Sequence, residues 1–195
     1  MQFTTAFLAS AAAMTASALP QAGVTIPENA RFGLITIRSG SPIQNLPIQA
    51  AARGLYVGLP SQNSTCDVER DTNYATFYLE DTELHLHAAS AYPQTMFVDR
   101  SGMGQGIVGY TSGAEPVVRN GERKGWALNE NNELEFNGVG LQACPNAIDG
   151  AWRLWLAGSS NPGGYTNCTG VSAVAYKTDN PISCLYTQEW NPTSA

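Results

Sequence analysis

Hydrophobic and polar positions alternate in short bursts along this chain, and turn residues cut each burst after a few positions. Between Ala75 and Tyr110 the pattern predicts four strands in succession: Thr76–Leu79, Glu83–Ala88, Gln94–Asp99 and Ile107–Tyr110. In Glu83–Ala88, Leu84 and Leu86 alternate with His85 and His87. A period of two puts the leucines on one face and the histidines on the other, as in a half-buried strand. Upstream, Phe32–Arg38, Ile43–Ala52 and Leu55–Leu59 read as strands, the second placed at an edge by Pro47. Downstream, Trp126–Leu128 and Glu133–Asn137 form a hairpin around Asn129-Glu130-Asn131-Asn132. Leu141–Cys144, Trp152–Ala157 and Val171–Lys177 follow. The stretch Thr111–Lys124 is polar and aperiodic, and no helix of useful length is predicted past residue 18.

The pattern gives about twelve short strands. Two hairpins echo one another: Phe77-Tyr78-Leu79 re-enters as Glu83-Leu84, and Trp126-Ala127-Leu128 re-enters as Glu133-Leu134. Grouped in fours, the strands make three units, 32–79, 83–128 and 133–177. The expectation is therefore a single all-β domain, β-trefoil-like, stapled by two disulfides. A β-sandwich predicts nearly the same string and stands as the alternative.

Composition sharpens the class. Charged residues are 13% of the 195 positions, against about 25% in ordinary soluble domains. The net charge is −6 and the ten Lys and Arg are scattered, so a phosphate-neutralising surface is absent and nucleic acid is not an expected partner. Phe7–Ala18 is an apolar, small-residue run ending in Ala16-Ser17-Ala18, too short to span a membrane and shaped like a signal-peptide cleavage site. The predicted layout is a secretory signal at 1–18, a loose mature N-terminus at 19–31, the domain at 32–187 and a polar tail at 188–195. That tail carries no hydrophobic run, so neither a GPI anchor nor a membrane span is expected.

Secretion changes how the four cysteines are read. None forms Cys-x-x-Cys, and an even count points to two disulfides. Three connectivities are possible. Cys144 and Cys168 bracket one local segment, which favours Cys144–Cys168 with Cys66–Cys184. Two N-glycosylation sequons accompany them, Asn63-Ser64-Thr65 in a polar turn and Asn167-Cys168-Thr169. Asn63 is the better acceptor on this reading, because disulfide formation at Cys168 competes at Asn167.

Catalytic chemistry is weakly marked. His85 and His87 could ligate a metal from one strand face, but no third ligand is marked, and neither metal nor cofactor is expected. Asp99-Arg100-Ser101-Gly102-Met103-Gly104-Gln105-Gly106 is glycine-rich, yet its flanks are strands, so it reads as a β-turn and not a phosphate cradle. Glu80, Asp81 and Glu83, and again Glu133 and Glu135, are carboxylates on turn and strand faces. A glycosidase would need two of them across a cleft. Trp126, Trp152, Trp155 and the tyrosines could stack on sugars if exposed, but Trp152 and Trp155 are three apart and point to opposite faces of an ideal strand.

Four runs carry a resemblance: Arg38–Gln44 (RSGSPIQ), Phe97–Gly113 (FVDRSGMGQGIVGYTSG), Glu122–Leu128 (ERKGWAL) and Ala143–Trp152 (ACPNAIDGAW). With the cysteine spacing, they resemble the PhiA family of fungal cell-wall proteins, over about Phe32 to Tyr186. The resemblance implies a secreted, wall-associated, non-enzymatic protein required for phialide and conidium formation, with a role in stress protection and a possible IgE-binding character. It implies wall polysaccharide or wall proteins as partners, names no catalytic residues, and leaves the ligand-binding residues and oligomeric state unknown. A lectin-like wall module is the alternative function.

Overall fold

The computed structural model describes residues 25–68, 72–88 and 91–190. The predicted signal peptide, residues 19–24 of the predicted mature N-terminus and the last five residues of the tail lie outside them.

Fifteen strands run in order: β1 (Phe32–Ile37), β2 (Ile48–Ala51), β3 (Gly54–Val57), β4 (Thr65–Cys66), β5 (Thr76–Glu80), β6 (Glu83–Leu86), β7 (Gln94–Asp99) and β8 (Ile107–Ser112), then β9 (Gly121–Glu122), β10 (Trp126–Leu128), β11 (Leu134–Phe136), β12 (Leu141–Cys144), β13 (Trp152–Leu156), β14 (Thr169–Lys177) and β15 (Cys184–Leu185). Among the described residues, helix is limited to two single 3₁₀ turns, Ile148–Gly150 and Pro162–Gly164. The protein is all-β. Its two-residue strands β4, β9 and β15 are too short to leave a periodic signal.

The main sheet closes on itself. Its order runs β12-β14-β1-β5-β6-β7-β8-β13, and β13 pairs back onto β12. Eight antiparallel strands therefore form a ring, with the β2–β3 hairpin attached through β13. This corrects the trefoil expectation and its sandwich alternative: the wall is not three equivalent four-strand units, nor two separate sheets. The reason is pairing partners. The echoing hairpins have similar internal patterns, but only β5–β6 enters the ring, whereas β10–β11 is a separate two-stranded sheet.

Alternation fills the ring from within. Leu34, Phe77, Leu84, Leu86, Met96, Val108 and Leu154 are buried in one core cluster, and closure removes the exposed edges that an open sheet would present. Where a neighbouring ring must lie flat on the outer wall, glycine is required: a Cβ on Gly33 would sit 2.3 Å from the ring of Tyr176, its cross-strand partner.

With few charges, the chain staples its loops with buried glutamines. Gln49 exchanges hydrogen bonds with the backbone of Leu59 at 2.9 and 2.8 Å. Gln62 accepts from the Ala50 amide at 3.3 Å and donates to the Thr72 and Tyr74 carbonyls at 2.8 and 2.9 Å. Gln62 thereby satisfies one amide of β2 and ties the strand to the loop before β5. Pro47, just before β2, bridges to Ile35.

The ends of the ring are closed differently. At the end carrying the Asp81–Thr82 turn, β10–β11 lies across the mouth and sends Trp126, Leu134 and Phe136 into the core. At the other end, residues 184–190 form a strap. Tyr186 is 2% exposed, accepts from the Thr76 amide through its hydroxyl at 3.0 Å, and is gripped by Gln94 through its backbone N–H and C=O. Two disulfides tie further segments together: Cys66–Cys184 joins β4 to β15, and Cys144–Cys168 joins β12 to the loop before β14.

Candidate functional site

On the outer face of β5–β6, Tyr78 stands opposite His85 and stacks on it with ring centroids 4.9 Å apart. Arg31 lies over the other side of Tyr78, 4.2 Å from its centroid, and donates from Nε to His87 Nδ1 at 3.4 Å. His85 Nδ1 meets the Thr95 hydroxyl at 3.1 Å. The strand alternation thus places both histidines on one face, and each is engaged through Nδ1 with a protein partner. Burial is the main reason both imidazoles are held below their ordinary pKa, ahead of the opposing carboxylates, Glu83 and Glu80 for His85 and Asp67 for His87. Among the described residues no group of three His, Cys, Asp or Glu is disposed to hold a metal ion.

The glycine-rich run is the β7–β8 turn. Asp99 Oδ1 accepts from the Ser101 amide at 2.9 Å, Ser101 Oγ accepts from the Gly104 amide at 3.1 Å, and the Gly106 amide returns to the Asp99 carbonyl at 2.8 Å. These bonds use the polar groups a phosphate would need. Met103 is 93% exposed at the tip. Gln105 accepts from the Gly163 amide at 2.7 Å, tying the turn to the loop before β14.

The carboxylates form two groups, on a turn and on a strand face. Glu80, Asp81 and Glu83 flank one hairpin turn. Glu133 and Glu135 share the side chain of Asn129, at 2.9 Å each. Hydrogen bonds from Ser172 and then Asn129 hold Glu133 below the usual carboxylate range.

None of the four tryptophans is exposed. Trp126 is 1% exposed and meets Phe136 edge-on at 5.0 Å. Trp155 is 4% exposed on the outer wall, against Tyr165 and Gly163 of the loop that Cys144–Cys168 closes. Trp152 is half-buried against the core. Opposite faces were expected for Trp152 and Trp155, and both faces turn out to be covered. Of the sequon residues, Asn167 is exposed beside its disulfide, whereas Asn63 is partly buried with its Oδ1 enclosed.

A site that the sequence pattern does not mark lies at the strap end. The two-residue β2–β3 turn is Ala52-Arg53, with φ of 44° and 58°. Neither residue favours the left-handed region, which costs each of them about 1–2 kcal/mol. Thr187 holds the turn: its hydroxyl accepts from the Ala52 amide at 3.2 Å, and its carbonyl accepts from the Arg53 amide at 3.3 Å and from the Tyr110 hydroxyl. Arg53 pairs with Glu115, whose other oxygen accepts from Gln188 at 2.9 Å and the Ser112 amide at 3.3 Å. Arg53 is the main cause of the lowered Glu115 pKa. Beside this network runs an open groove of about 440 Å³, floored by Tyr186 and Thr187 and walled by Tyr92 and Leu185. Its parts come from positions far apart in sequence. The one local signal is a two-residue turn between apolar runs that contains neither Gly nor Asn.

Comparison with known proteins adds what geometry cannot. A family described as PhiA-like secreted protein matches residues 32–187. A protein of Aspergillus fumigatus named cell wall protein phiA is 52% identical over 189 residues, covering 96% of this chain and all of that one. Its namesake in Aspergillus niger is 49% identical over 177 residues, covering 90% and 95%. A further namesake in Arthroderma benhamiae is 33% identical over 156 residues, covering 76% and 83%. No solved structure matches.

Proposed function

We propose, from the premise that this chain belongs to the PhiA-like secreted protein family, that it is a non-enzymatic protein working in the cell wall during asexual development. Secretion follows from the family, and the wall from the name its relatives share. In that role it supports phialide and conidium formation, contributes to stress protection and is recognised by IgE.

One observation carries the non-enzymatic part. The barrel is packed with side chains through its middle and closed at both ends by Trp126 and Tyr186, so it holds no reaction chamber of the kind small-molecule enzymes use. The most conspicuous reactive groups, His85, His87, Glu115 and Glu133, are each committed to hydrogen bonds within the protein. Function is then left to the outer wall and the rims, where a rigid, low-charge shell can bind and assemble.

Deletion of the coding gene, followed by counting of phialides and conidia and by wall fractionation of a complemented strain, tests the reading. We expect fewer conidia, restoration by the intact gene, and recovery of the protein in the wall fraction. Normal conidiation in the deletion strain removes the developmental role. Sugar release from purified wall by the mature protein, lost on Glu115→Gln, would make it a hydrolase instead.

A further inference from the structure

We propose that the strap-end groove is a binding subsite for a neutral wall glycan, and that Tyr92 is its stacking platform. The inference rests on the wall-protein reading and gives it a ligand class. A pyranose ring has an apolar C–H face and a rim of hydroxyls, so its site needs a flat apolar surface beside a few fixed hydrogen-bonding groups.

The groove offers both. Tyr92 is 60% exposed and Leu185 43%, and both line the groove. Ser112, Thr65 and Gln188 supply hydroxyl and amide groups along the same opening. Glu115, outside the lining, accepts from the Ser112 amide and from Gln188, which holds both of those lining residues before any ligand arrives.

The floor is rigid. Gln94 clamps Tyr186 on both backbone groups at 2.9 Å, and Thr187 is held by the Ala52 and Arg53 amides and the Tyr110 hydroxyl. Two non-glycine residues kept at positive φ by the segment that floors a groove match the usual place of backbone strain, beside ligand clamps. A preformed floor reduces the ordering cost of binding.

Charge selects among glycans. None of the residues lining the groove is Lys or Arg, Glu189 lies in the lining, and the chain carries −6. An anionic polymer is therefore disfavoured, and an uncharged wall glycan is favoured. Of the aromatic residues that the sequence offers for stacking, Trp126 and Trp155 are covered by the fold and Tyr92 is exposed.

Co-sedimentation of the mature, disulfide-intact protein with purified insoluble β-glucan and with chitin tests the subsite. Tyr92→Ala is the variant and Met103→Ala, exposed on the β7–β8 turn, the control. We expect saturable binding to one polymer, competed by its soluble oligosaccharide and not by salt, weakened roughly tenfold by Tyr92→Ala, as loss of about 1.4 kcal/mol of stacking requires, and unchanged by Met103→Ala. Circular dichroism checks that Tyr92→Ala keeps its fold; if it does not, Tyr92→Phe and Gln188→Ala replace it, with near-full and reduced binding expected in turn. Absence of binding to both polymers overturns the subsite, as does wild-type binding by the folded Tyr92→Ala protein. Wall fractionation separates the two readings. Protein that stays in the wall fraction without binding either glycan defeats the groove alone, and protein recovered only in the medium defeats the wall assignment.

Discussion

The β5–β6 and β10–β11 hairpins are written alike and used differently. Their cross-strand pairs correspond: Phe77 faces Leu86 and Leu79 faces Leu84 in one, Trp126 faces Phe136 and Leu128 faces Leu134 in the other. Yet β5 also pairs with β1, and β6 with β7, so the first hairpin is part of the barrel wall. The second pairs internally and crosses the mouth, anchored where the Gly125 and Trp126 amides donate to the Thr82 carbonyl and the Ala175 amide to that of Asn132. A period-two pattern specifies who faces whom within a hairpin. It does not specify whether the outer backbone groups find further strands.

The largest effect that separates the two comes from removing their matched aromatics. Phe77→Ala and Trp126→Ala each delete a fully buried side chain, and each is expected to cost about 3–5 kcal/mol. The cost should be distributed differently. Phe77 belongs to the closed ring, so its loss should lower hydrogen-exchange protection in all eight ring strands together. Trp126 belongs to a plug held at its margins, so its loss should free residues 126–136 first. Uniform loss of protection in both variants would show that plug and ring are one cooperative unit.

A middle-sized effect lies in the turns. Asp81 and Thr82 both have positive φ, 48° and 63°, and a β-branched residue there is strained. Replacing the exposed Thr82 by Gly relieves that strain against the extra freedom of the unfolded chain, for a net gain of about 1 kcal/mol. In the plug, the positive-φ position of the turn is Asn132, at 58°, a residue that tolerates the conformation, so Asn132→Gly relieves no strain and should not stabilise the protein. Chemical denaturation of the two variants reads the difference, and equal responses would remove strain as the distinction.

The same contrast shows why the sequence disclosed some things and withheld others. Strand positions were legible because burial follows alternation: Leu84 and Leu86 in, His85 and His87 out. Ring closure was not, because the β1–β14 and β8–β13 pairings join strands far apart in sequence and leave no local mark. Buried glutamines were illegible for another reason. Gln49, Gln62 and Gln94 look like surface residues until the backbone they cap is known. The strap-end network was likewise hidden, since Arg53, Glu115 and Gln188 meet only when the far end of the chain returns. The trefoil expectation came from treating a repeated pairing pattern as a repeated position.

The smallest predicted effect is a pair of separate acid responses. In the ring hairpin, burial lowers the pKa of His85 and His87 below 6.5 in the folded state. The unfolded chain then binds more protons just below that pH, so the stability tied to neutral histidine is complete above about 6.5 and declines as pH falls through the lowered values. Protonated His87 would also lose the Nδ1 lone pair that accepts from Arg31. In the plug, Glu133 is held below 4.5 by Ser172 and Asn129. Its contribution persists above about that pH and is lost only further down. Thermal midpoints followed from neutral to acid should therefore fall in two steps. His85→Gln with His87→Gln should flatten the upper step alone. Glu133→Gln should shrink the lower step without abolishing it, because Glu115 and Glu122, held down by Arg53 and Arg100, titrate there too. An upper step that survives the double histidine change would place the neutral-range response outside the β5–β6 face.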